Sequence, residues 1–173
     1  RDAGLLGYRV VWFEREWPEP RFCAPERYPD QALATISTHD LPTVRGFFAG
    51  QDIVWRDRLG HFAGPEALRA EHEARGRDVW LLSERLGWQG LSADPADPDA
   101  RSVSLHRFLA RTASQLAAVQ LEDLADELEQ ANLPGTIDEH PNWCRRLPRP
   151  FAEVLASDLA TRIMAAMREE RPR

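Results

Sequence analysis

The apolar positions of this chain fall first into two short, dense runs. Tyr8 to Phe13 (YRVVWF) is nearly continuous and rich in β-branched and aromatic side chains, which predicts a strand buried on both faces, as in a parallel sheet. Ala32 to Ser37 (ALATIS) predicts a second buried strand. Between them Pro18, Pro20, Pro25 and Pro29 exclude both a helix and a central strand, so a long, stiff loop is expected. The second strand is ended by Thr38, His39, Asp40, Leu41 and Pro42, and Pro42 stands where a helix would begin.

From Thr43 to Ser92 the period becomes helical, in short pieces punctuated by Gly50, Gly60, Gly64, Gly76, Gly87 and Gly90. Pro65 fits the first turn of one piece; in the next, opened by Asp78, Val79, Leu82 and Leu86 share a face. Ala93 to Ala100 (ADPADPDA) reads as a polar linker with two Asp-Pro breaks, after which Leu105, Phe108, Leu109, Thr112 and Leu116 make one apolar helix face. Ala117 to Leu121 is a candidate third strand with helical flanks. A helical turn or two is expected over Glu122 to Gln130, a turn over Asn132 to Thr136, and a final helix from about Phe151 to Glu169. That helix carries a stripe of Phe151, Val154, Leu155, Leu159, Ile163, Met164 and Met167. Strand, long loop, strand, helices, strand and helix is the order of a β/α barrel or another parallel α/β fold. Three strands cannot close a barrel, so the chain is expected to be part of a longer one.

Composition then removes whole classes of chemistry. All 22 basic residues are arginine, which excludes a phosphate-loop lysine and a Schiff-base lysine. With a net charge of −6 and no large arginine cluster, nucleic acid is not an expected partner. No apolar run approaches the roughly 20 residues of a membrane span, and no apolar leader follows Arg1. The two cysteines, Cys23 and Cys144, lie far apart, the usage of a reducing compartment, so a cytoplasmic location is expected. His72 and Glu73 do not complete a zinc HExxH motif, and neither a metal nor another cofactor is expected.

The sharpest candidate chemistry is His39 beside Asp40, directly after a buried strand, because parallel α/β folds gather their active groups at the carboxyl ends of strands. An imidazole next to a carboxylate could grip a polar substrate there. The competing reading is structural, with Asp40 capping the following helix and His39 bonded to a nearby carbonyl. Six tryptophans suit stacking on sugar rings. Trp17, on the proline-rich loop, is the candidate for sugar contact, whereas Trp12, Trp80 and Trp143 are assigned to packing. Arg145 and Arg146 are expected to pair with acids.

The segments LGYRVVWFE, ALATISTHDLPT, VQLEDL, NLPGT and PNWCRRL resemble, in order and spacing, the C-terminal part of the amylomaltases, the 4-alpha-glucanotransferases that disproportionate malto-oligosaccharides. The resemblance implies an α/β fold made of about strands 6 to 8 of a (β/α)8 barrel with a helical insertion, predominantly helical as an isolated fragment. It divides the chain into 1–42 (strands 6 and 7 with the proline-rich loop), 43–100 (insertion and linker) and 101–173 (barrel helix, strand 8 and terminal helix). It implies a retaining transfer of alpha-1,4-glucan segments, with malto-oligosaccharide or a starch-like glucan as partner. Carried over by motif, Asp40 is the acid that stabilises the distorted sugar by bonding its hydroxyls, and His39 binds hydroxyls of the same sugar. Phe13 corresponds to an aromatic near the acceptor, and Asn132 to an asparagine lining the donor site. In the family the nucleophilic aspartate and the acid/base glutamate lie upstream of these motifs. Glu84, in SERLG, is read as a surface residue. The fragment is therefore expected to be inactive without the missing N-terminal part of the barrel, and to self-associate through its open strand edges. Two other readings compete: a His-Asp metal phosphohydrolase suggested by the doublet, and a non-catalytic helical interaction module.

Overall fold

A computed structural model describes residues 4–172; residues 1–3 and 173, included in the expected divisions 1–42 and 101–173, lie outside the described residues. Its strands are β1 (Gly7–Val10), β2 (Arg15–Glu16), β3 (Arg21–Phe22), β4 (Ala32–Thr35) and β5 (Leu116–Ala118). The order of the main sheet is β1-β4-β5, all parallel, with Val10 beside Thr35 and Thr35 beside Ala118. Parallel pairing aligns the carboxyl ends of the three strands, so the segments leaving Val10, Thr35 and Ala118 emerge along one edge. The proline-rich stretch is irregular as expected, apart from the two-residue β2–β3 ladder and a 3-10 turn at Pro25–Arg27.

Two strands differ from expectation. β1 is not buried on both faces: Gly7 and Tyr8 are exposed, and burial begins only at Val10. It is an edge strand here, and its β-branched run enters the core at its end, where Val10, Val11 and Trp12 turn inward. β5 begins at Leu116, so Leu116 belongs to a strand rather than to the preceding helix face, and the strand is exposed at Leu116 and Ala118.

Helices α1 (Val44–Ala49), α2 (Gln51–Arg58), α3 (Pro65–Trp88) and α4 (Pro98–Ala110) connect β4 to β5; α5 (Leu121–Leu124), α6 (Phe151–Leu155) and α7 (Asp158–Glu170) follow. The expected short pieces across Gly76 and Gly87 are instead one helix of 24 residues. A helical glycine costs only about 1 kcal/mol, and burying Leu82 and Leu86 against α4 returns about 1.5–3 kcal/mol each. The second Asp-Pro pair is a helix start, not a break: Asp97 caps α4 by accepting from the Ala100 N–H, and Pro98 takes the first turn. The terminal helix is broken at Ala156, where Ser157 caps α7 and leaves Phe151 and Leu155 exposed on the short α6. α7 packs along α4, and the Arg171 guanidinium at its end donates to the carbonyls of Ala110, Thr112 and Ser114, the orphan acceptors past the end of α4.

Where α1, α4 and α5 meet, the core encloses two ionisable side chains. Asp123 Oδ1 accepts the Val44 N–H at 2.8 Å, and His106 Nδ1 lies 2.8 Å from the Ser102 carbonyl, to which it donates. Their remaining atoms, His106 Nε2 and Asp123 Oδ2, face each other at 3.8 Å, beyond hydrogen-bond reach. Burial pushes the Asp123 carboxyl up to about 7 and the His106 imidazole down to about 4, so the fold favours the neutral form of each. A raised carboxyl pKa contributes stability that is complete below the unfolded value of about 4 and is lost as pH rises through about 7. Asp123→Asn keeps an acceptor for Val44 and cannot ionise. Between pH 5 and pH 8 it should gain on the order of 2 kcal/mol relative to wild type, read as unfolding midpoints at the two pH values. A difference between the two proteins that does not change with pH contradicts this account.

Candidate functional site

The loop after β4 is closed by its own hydroxyls. Thr35 Oγ1 donates to the Ser37 carbonyl, and Ser37 Oγ donates to the Pro42 carbonyl at 2.7 Å. The buried Trp12 indole, stacked on Phe47 with centroids 4.0 Å apart, donates to the same Pro42 carbonyl at 3.4 Å, so its assignment to packing holds. Thr43, not Asp40, caps α1 by accepting from the Gly46 N–H, and Pro42 precedes the cap rather than opening the helix. Asp40 is thus free of the structural duty that competed with a functional one.

Asp40 instead meets a segment 92 residues away: Asn132 Nδ2 donates to Asp40 Oδ1 at 2.6 Å. The Asn132 N–H donates to the His39 carbonyl at 3.0 Å, and the buried Gln130 amide donates to the carbonyls of Asp40 at 3.2 Å and Asn132 at 2.7 Å. The second carboxylate oxygen faces His39 Nε2 at 3.4 Å, and both side chains stay open to solvent, His39 57% and Asp40 44%. Asp40 and His39, from one motif, and Asn132, from another, therefore form one cluster at the carboxyl edge of the sheet. The two segments are locked together by the Thr43 hydroxyl, which donates to the Glu127 carbonyl at 2.6 Å, and by Gly46, where an added Cβ would stand 2.5 Å from the Leu128 carbonyl oxygen.

The other predicted residues divide. Phe13 leaves β1 on the same edge and borders a depression of about 440 Å³ with Leu41, Pro42 and the Asp52–Arg75 ion pair. Trp17 projects from the turn joining β2 and β3, 78% exposed and outside the hydrogen-bonded cluster. Two tryptophans assigned to packing are not packed. Trp80 points to solvent from α3, one position off the Val79–Leu82–Leu86 face, and Trp143 is exposed with its ring 5.0 Å from that of His39. Trp143 and Arg146 line, with His39, a cleft of about 240 Å³. Arg145 pairs with Glu129 at 3.6 Å, as expected of it. Glu84, read as a surface residue, is half-buried near the C-terminal end of α3 and apart from the cluster. Gln130 escaped sequence reasoning; its only signal was its position two residues before Asn132. Among the described residues no three His, Cys, Asp or Glu side chains gather as a metal site.

A carboxylate with one oxygen held by an amide and the other open to solvent beside an imidazole has free acceptor capacity on its exposed side. Fold and cluster together define a parallel α/β protein with a candidate polar site at the carboxyl ends of its strands. The comparisons narrow the class. The family described as 4-alpha-glucanotransferase, glycoside hydrolase family 77, matches residues 1–152, and the chain belongs to it. It is 36% identical over 173 residues to a 4-alpha-glucanotransferase of Mycobacterium tuberculosis, covering 94% of this chain and 23% of that protein. To the one of Haemophilus influenzae it is 32% identical over 163 residues, covering 89% and 23%. The amylomaltase of Corynebacterium glutamicum superposes with a TM-score of 0.80 at 27% identity over 94% of this chain and 25% of its own. The amylomaltase of Streptococcus agalactiae, solved in complex with acarbose, shares the fold at a TM-score of 0.61 and 19% identity, covering 98% and 28%. The chain thus spans about a quarter of the length of the relatives it matches.

The close approach at Gly46 makes a test of how the cluster is assembled. Gly46→Ala should destabilise the protein by about 1–3 kcal/mol through overpacking against the 127–130 backbone. The unfolding midpoint reads the cost, and a variant as stable as wild type would mean that the two segments are not held in contact there.

Proposed function

We propose that this chain supplies the sugar-binding acid of a 4-alpha-glucanotransferase, which transfers alpha-1,4-glucan segments between malto-oligosaccharides by a retaining double displacement. The observation that carries the reading is the 2.6 Å bond from Asn132 to Asp40, which unites the NLPGT and THDLPT motifs in one acceptor array. In this reading β1, β4 and β5 are strands 6, 7 and 8 of a (β/α)8 barrel. Residues 1–42 hold strands 6 and 7, residues 43–100 the helical insertion, and residues 101–173 strand 8 with the terminal helix. Asp40 and His39 bind the hydroxyls of the sugar at the reacting centre, Asn132 lines the donor side, Phe13 stands on the acceptor side, and Trp17 offers an exposed ring further out. The complex of the Streptococcus agalactiae amylomaltase with acarbose supports a glucan-like substrate.

The nucleophile and the acid/base belong to the rest of the protein, so Asp40 contributes by binding the transition state more tightly than the ground state rather than by bond making. A distorted, positively charged sugar ring sharpens its hydroxyls as donors, and an ionised acceptor gains most from that change. The two free cysteines suit a cytoplasmic setting. No described helix is long and apolar enough to cross a membrane.

Asp40→Asn in the full-length protein should lower transfer from maltotriose by orders of magnitude with the fold intact, because a neutral amide cannot replace the charge-assisted bonds. Activity within about tenfold of wild type contradicts the assignment. His39→Ala should cost less, about tenfold or below, since one neutral hydrogen bond contributes about 0.5–1.5 kcal/mol. An equal or larger loss would give His39 a proton-handling or positioning role.

The isolated 173 residues should be inactive and should self-associate. β1 and β5 each have an open edge among the described strands, and Tyr8, Leu116, Phe151 and Leu155 are exposed around them. Light scattering reads the outcome, and a stable monomer that binds no apolar dye contradicts it.

A further inference from the structure

We propose that Asn142 is a positioning residue for Asp40: by clamping the turn at residues 133–136 it sets where the Asn132 amide meets the carboxylate. The inference rests on the reading of Asp40 given above and concerns a residue that touches neither Asp40 nor the open face of the site.

Asn132 lies in the stretch between α5 and α6, residues 125–150, which holds no helix or strand. Its conformation therefore depends on specific bonds rather than on a regular ladder. The Asn142 amide uses both its ends for this. Oδ1 accepts the Leu133 N–H at 2.8 Å, and Nδ2 donates to Thr136 Oγ1 at 2.8 Å and to the Thr136 carbonyl at 3.2 Å. These bonds span a turn in which Gly135 has the left-handed φ of 84° that glycine accommodates without strain. The next residue completes the grip, because the Trp143 N–H donates to the Ala131 carbonyl at 3.0 Å from a backbone held at φ 59°. The residues on either side of Asn132 are thus each tied to the 142–143 pair.

The orientation of the Asn142 amide is itself fixed. His140, 1% exposed, places Nδ1 2.8 Å from Asn142 Oδ1, and its ring meets the Trp55 ring edge-on at 4.7 Å. An acceptor that faces both the Leu133 N–H and the His140 N–H cannot be exchanged for an NH₂ group without opposing donor to donor. Asn132, with its neighbours so held, has its own N–H on the His39 carbonyl and its side chain on Asp40 Oδ1 at 2.6 Å. Remove Asn142, and the turn loses three bonds while the sugar-facing atoms are all still present.

The test uses the full-length protein. Asn142→Ala should leave KM for maltotriose within about threefold of wild type and lower kcat about 10- to 100-fold, the loss expected when a supporting bond is removed and an intact reacting group shifts. In an Asn132→Ala background the same change should add no more than about twofold, because the residue it acts through is gone. The crystal structure of Asn142→Ala reads the inference without reference to activity: the Asn132 amide should leave hydrogen-bond reach of Asp40. Thr136→Val, which removes the hydroxyl that accepts from Asn142 and donates to the Leu133 carbonyl at 2.6 Å, loosens the same turn with the Asn142 amide intact; it should shift the Asn132 amide the same way with a smaller loss, and it carries the test should Asn142→Ala not fold. An Asn132–Asp40 bond unchanged in either variant, or losses that multiply fully in the double variant, overturns the inference. An inactive wild-type protein would instead overturn the functional reading and leave the crystallographic comparison to decide the clamp.

Discussion

The site depends on a contact between two pieces of chain that are remote in sequence. Helix α1, which begins directly after the His39–Asp40 loop, lies so close to residues 127 and 128 that only a glycine fits at position 46. The Thr43 hydroxyl and the buried Asp123 carboxyl fasten the same junction, the first to the Glu127 carbonyl and the second to the Val44 N–H. Once that junction is closed, the chain beyond it is delivered to Asp40, and the amides of Gln130 and Asn132 find the loop within reach. Without it, a carboxylate at the strand end would face water with no partner to fix its direction.

That arrangement explains why the loop can be both exposed and ordered. Most of its backbone constraints are internal, made by Ser37, Thr38 and Thr43, while the exposed surface is left to His39 and Asp40. A rigid acceptor array costs little reorganisation when a ligand arrives, which is the condition under which polar groups discriminate a transition state from a ground state. The core beneath supports this: Trp12 and Phe47 stack under Pro42, so the floor of the loop is aromatic packing and not mobile side chain.

Much of this was legible from the residues. The strand ALATIS, the doublet that ends it and the turn at Asn132 were each visible, and the motif resemblance linked them before any geometry did. What was not legible came from tertiary contact. The glycines at 76 and 87 read as breaks because propensity is local, whereas burial of Leu82 and Leu86 carries the helix through them. β1 looked doubly buried because its composition is that of a central strand, yet on this chain it is an edge. The tryptophans could not be sorted, since an indole that packs and one that stays exposed share the same sequence signal; Trp12 and Trp143 fall on opposite sides of that division. Asn142 and Gln130 were silent because amide clamps in irregular chain have no period.

The most direct measurement is a crystal structure of the full-length protein with acarbose bound. The account predicts that the free oxygen of Asp40 and the ring of His39 lie within hydrogen-bond distance, about 2.6–3.2 Å, of hydroxyls on one and the same sugar ring, with Asn132 still bonded to Asp40. A ring seated elsewhere, with Asp40 in contact only with protein or solvent, would contradict it.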